Sequence, residues 1–182
     1  MNEREIMSRL IEGGREWINN VQAAHRPQAS PFRHGLKAVL GPFFHGTGAL
    51  DSAKYQAVRV VPSPPAELTA LLGVPIDFSQ AAARTFKDTI LISETWLDTH
   101  PDPSNGFTRL AFHELVHVVQ YEILGVDRFV QTYVTGLQGG RDYYAIPLEM
   151  AAYTLQARFM TAAPDEVFSV KELVEKMLPL RY

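Results

Sequence analysis

The sequence contains no cysteine. That absence excludes a disulfide framework, a thiolate metal site, an iron–sulfur cluster and a cysteine nucleophile. Any metal must be held by imidazole, carboxylate or carbonyl groups. Long apolar runs are also lacking: nothing approaches the roughly 18 consecutive apolar residues of a membrane-spanning helix. No excess of positive charge exists either. Seventeen Lys and Arg stand against 20 Asp and Glu, a formal net charge of −3, which argues against a nucleic-acid partner. The opening MNEREIMSRL carries acids and no apolar core, unlike a secretory signal peptide. A cytoplasmic address is the default expectation.

The chain has 182 residues, of which 46% are hydrophobic and 20% charged. This is an ordinary globular composition, and the length suits one domain over 1–182 that buries its core without covalent staples. An N-terminal helix and long loop (1–53) are expected to precede a core (54–182).

Residues 3–24 read as an amphipathic helix, weakened by Gly13 and Gly14. Residues 25–53, rich in Pro and Gly, read as a loop with at most one short helix. Their three histidines, His25, His34 and His45, match no regular ligand spacing. Ala57–Val61 and Phe86–Ser93 read as strands, and Ala66–Leu72 as a short helix ending at Gly73. THPDPSNG at 99–106 is a turn-rich loop. Four helices are then expected: Phe107–Leu124 stopped by Gly125, 126–137, 146–160 with Pro147 near its start, and 165–178. A small sheet followed by a mostly helical half is an α+β pattern.

The stretch Ala111–Tyr121 contains His113-Glu114-Leu115-Val116-His117, an HExxH motif. On a helix, side chains at i and i+4 share a face about 5–6 Å apart. Two imidazoles so placed can converge on one Zn²⁺. Glu114 can then hydrogen-bond the water and act as general base. Phe112, Leu115, Val116, Val118, Val119 and Ile123 surround the motif, so the helix is expected to be central and buried. Polar groups there would cost several kcal/mol without partners, and a metal supplies one.

Zinc needs a third protein ligand. No histidine follows His117, and Gln120 and Ile123 occupy the positions where HExxHxxGxxH would need Gly and His. The ligand is therefore sought among downstream acids. Glu149 stands out because AIPLEMAAYTLQARF is otherwise apolar. Asp127, ten residues past His117, is the rival, although it could simply cap the next helix. For stabilising an oxyanion, Tyr143, Tyr144, Arg141, Tyr153 and His100 are candidates.

HELVHVVQY, preceded by KDTILIS and followed by an acid on a later helix, resembles a zincin metallopeptidase core. More narrowly it is similar to small gluzincin-like bacterial proteins, including the DUF4157 type with its HELTHVVQQ helix. The resemblance covers about residues 85–160. It implies a minimal zincin-like fold, zinc on His113, His117 and Glu149, and Glu114 as base. It also implies that the strand near 87–93 borders the cleft and pairs with an extended peptide.

The expected function is zinc-dependent peptide hydrolysis, with a peptide or protein substrate, no nucleic acid and no membrane. The alternative is a zincin-fold binding or regulatory module that holds the metal without efficient turnover. An intact Glu114 favours the enzyme, and the short chain favours the module. A di-iron carboxylate bundle would need a second ExxH, and no other histidine has Glu three residues before it.

Overall fold

The computed structural model describes residues 2–100, 106–138, 143–163 and 165–178. Helix α1 (Glu3–His25) opens with a capping box, in which Asn2 and Glu5 each bond the other's backbone N–H. Its buried line of Leu10, Gly14 and Ile18 faces the core. Gly13 and Gly14 are sites of close approach rather than weak points. An added Cβ at Gly13 would lie 2.4 Å from Leu68, and one at Gly14 would lie 2.7 Å from Val130.

Residues 25–53 hold more structure than their Pro and Gly content suggests. A 3₁₀ turn (Arg26–Gln28) is followed by β1 (Ser30–Pro31), α2 (His34–Leu40) and α3 (Ala49–Ser52). Next come β2 (Lys54–Val58), which starts earlier than expected, and α4 (Ala66–Leu72). Gly73 ends α4 at φ 73°, the left-handed region that glycine enters without strain.

The expected strand at 86–93 is in fact the second half of a hairpin. Strand β3 (Ala83–Phe86) turns through Lys87 and Asp88 into β4 (Thr89–Ser93). The charged pair needs solvent and partners, and Asp88 meets Arg26 at 3.0 Å. The sheet order is β1-β2-β4-β3, with β2 and β4 parallel and the outer pairings antiparallel. All five residues of β4 are buried. Ser93 caps the short α5 (Glu94–Thr99), which the turn-rich sequence beyond it concealed. The loop expected at 99–106 lies mostly outside the described residues.

Helix α6 (Thr108–Gln138) is broken at Gly125, whose φ of 69° and ψ of 169° are not helical. Every residue from Ala111 to Tyr121 is buried, so the HExxH segment is the central element. Helix α7 (Pro147–Thr161) starts on proline and packs along α6. The last helix, α8 (Val170–Met177), begins later than expected, where Ser169 caps it through the Glu172 N–H. One apolar cluster runs through all these elements, from Leu10 to Leu178. The architecture is α+β, with a small mixed sheet against a long buried helix. Among the described residues no helix is long and apolar enough to cross a membrane.

Candidate metal centre

Helical periodicity places His113 and His117 on one face of α6, and α7 brings Glu149 to them in its first turn. The Nε2 atoms of the two histidines are 3.2 Å apart. Glu149 Oε2 lies 3.5 Å from His113 Nε2 and 3.4 Å from His117 Nε2. Bonds of 2.0–2.1 Å at tetrahedral angles would separate ligand atoms by about 3.4 Å. The triangle therefore fits one small divalent cation. All three side chains are buried, and Glu149 Oε2 has no hydrogen-bond partner. A carboxylate oxygen left so in a protein interior is costly unless a cation answers it. Among the described residues this is the one cluster of its kind.

The surrounding groups hold these three side chains in place. Gln120 donates from Nε2 to the Leu148 carbonyl at 2.9 Å, so its Oε1 is free to accept from His117 Nδ1 at 2.8 Å. The Nδ1 proton is thereby fixed, and Nε2 presents its lone pair to the triangle. Arg84, on β3, sits between the rings of Phe78 and Tyr143, at 4.4 and 4.9 Å. Its Nη1 is 3.5 Å from Glu149 Oε1. That contact occupies one carboxylate oxygen and leaves the other for the centre. Thr85 donates its hydroxyl to Glu114 Oε2 at 2.7 Å. Gln120, Arg84 and Thr85 were not singled out as site residues from sequence.

The charges are coupled. Burial works to lower the His117 pKa, but the charges of Glu149 and Glu114 and the Gln120 hydrogen bond outweigh it and raise it. Burial works to raise that of Glu149, and His117, His113 and Arg84 together hold it well below the usual carboxylate range. Burial and the Glu149 and Tyr144 charges push Tyr153 up to about 12, so its hydroxyl keeps its proton at neutral pH.

The triangle lies between two cavities. A cleft of about 340 Å³ is lined by His113, Glu114, Tyr143, Tyr144 and Tyr153 on one side and by residues 80–84 on the other. An apolar cavity of about 110 Å³ adjoins His117 and Glu149 and is walled by Trp17, Leu68, Phe86 and Val130. The Tyr153 ring lies against His113 at a tilt of 56°, with ring centroids 4.4 Å apart.

The remaining sequence candidates fall elsewhere. Asp127 is exposed and paired with Arg15 at 2.8 Å. His100 stacks on Trp96 and bonds to its carbonyl, outside the residues lining the cleft. His25 and His45 are engaged with Gln56 and the Pro42 carbonyl. Arg141 lies outside the described residues. Strand β4 does not border the cleft as expected: it is paired on both edges by β2 and β3. Among the described residues the outermost strand on this side is β3, and the segment leading into it lines the cleft.

No protein-family model, curated protein or solved structure matches the chain.

Proposed function

We propose that this chain is a zinc-dependent peptide hydrolase of the HExxH type. The observation that carries the reading is the triangle of two imidazole nitrogens and one unpartnered carboxylate oxygen, with Glu114 of the same motif lining the adjoining cleft. His113, His117 and Glu149 would hold the metal. Zinc, when bound there, supplies a Lewis acid that polarises a carbonyl and acidifies water.

The protein supplies the rest. An extended peptide lies in the cleft along the outer edge of β3 and the segment before it, where unpaired backbone groups accept another strand. Glu114, oriented by Thr85, takes the proton from the attacking water and passes it to the leaving amine. Tyr153, protonated and beside His113, donates to the developing oxyanion. The buried walls exclude bulk water and strengthen each of these interactions.

The test is Glu114→Gln. The amide still hydrogen-bonds water but cannot take its proton. Zinc content is expected to stay equal to the parent's, while cleavage of a mixed peptide library falls by about 10²-fold or more. Equal cleavage by the variant would rule out Glu114 as base. A parent that retains zinc and cleaves no library member would favour the metal-holding binding module.

A further inference from the structure

The chain is acidic overall, yet the cleft beside the metal triangle has the opposite character. Among the described residues lining it, Arg84 and Arg109 carry positive charge, and Glu114 is the single acid. Glu114 is buried, and Thr85 already occupies one of its oxygens. The other polar groups, Gln80, Gln156 and three tyrosine hydroxyls, can all donate hydrogen bonds. Arg84 is committed to Glu149. Arg109 is different: it is exposed at the start of α6, and no described acid pairs with it. Arg109, His113 and His117 follow one another at i, i+4 and i+8, so the guanidinium stands on the ligand face, one turn before the first ligand.

We propose that Arg109 is a specificity-determining residue, selecting substrates that carry a carboxylate next to the bond to be cut. The inference rests on the reading of the centre as a peptide hydrolase. Four residues of helix rise about 6 Å, and an extended peptide covers that distance in about two residues. A carboxylate held by Arg109 thus lies one or two residues from the bond presented to the triangle. The guanidinium offers two parallel N–H groups to such an anion. A lysine or arginine at the same substrate position would meet like charge in a cleft that a bound cation makes more positive still. The carboxylate has two possible sources, an Asp or Glu side chain or the C-terminus of the substrate.

The experiment uses zinc-loaded Glu114→Gln protein and calorimetric binding of short peptides. One position is varied as Glu, Gln or Lys, and each peptide is made with a free or an amidated C-terminus. Peptides with the carboxylate are expected to bind about tenfold more tightly than their neutral counterparts, with the margin shrinking as salt is raised. Addition of Arg109→Gln should abolish the margin without changing zinc content. Arg59→Gln, an exposed arginine away from the cleft, should leave it intact. Whether the margin follows the side chain or the free terminus identifies the source. Equal binding of Glu, Gln and Lys peptides, binding of none, or a margin that survives Arg109→Gln would overturn the assignment. Failure of the parent to cleave peptides that do show the margin would overturn the hydrolase reading alone.

Discussion

Gln120 stands three residues after His117, and its side chain reaches both Nδ1 of that histidine and the carbonyl of Leu148. One residue thereby sets the ring of His117 on α6 and ties it to the start of α7, one position before Glu149. The spacing from His117 is a helical one, so this role was legible in principle; sequence reasoning used Gln120 only to exclude a different ligand pattern. Arg84 and Thr85 were not legible. Thr85 reaches Glu114 across 29 residues, and no local pattern announces a partner that sheet pairing brings in. The charges of the triangle give a pH prediction for the metal-free chain. Glu149, with a lowered pKa, contributes stability above its ordinary value of 4.5 that is lost as pH falls. His117, with a raised pKa, contributes stability fully present below 6.5 that is lost as pH rises through its folded value. Thermal unfolding in chelator should therefore show a maximum between about pH 4.5 and 6.5 and a decline on the alkaline side. Zinc should remove that alkaline decline, because it replaces the proton as Glu149's counter-charge. A metal-free profile that rises steadily to pH 8 would contradict the coupled pair.

The α6 helix is read most plainly from sequence, because an apolar shell around HExxH leaves it no place but the centre. Gly125 was expected to stop it, and the chain does leave helical geometry there before resuming. Its φ of 69° with ψ of 169° is a conformation that is essentially glycine's alone. Gly125→Ala should cost about 1–3 kcal/mol, seen as a lower denaturant midpoint. An unchanged midpoint would mean that the break relaxes freely. The strand expected at 86–93 contains β4, but β3 is not legible: Ala83 and Arg84 have little strand preference, and pairing with β4 supplies what the local sequence does not. Under the proposed reading, the strand edge a peptide would use belongs to β3, because β4 is paired on both sides.

Across the whole molecule, the metal triangle joins α6 to α7 within an apolar cluster that extends from α1 to α8. Such a core does not depend on the metal to form, so a chelator-treated chain should still unfold cooperatively. At a free zinc concentration 100 times the dissociation constant, binding adds about 2.7 kcal/mol, or about 5–10 °C in Tm for a chain of this size. A non-cooperative melt in chelator would show that the metal is required for folding. The central claim is that His113, His117 and Glu149 together hold zinc. Its most direct test is the zinc content of the purified chain and of Glu149→Gln, measured after equilibration with added zinc and a competing chelator. The account predicts about one zinc per parent chain and a variant weakened at least 10–100-fold, the range seen when groups merely supporting a ligand are lost. A parent chain that keeps no zinc, or a variant that keeps it as tightly, would contradict it.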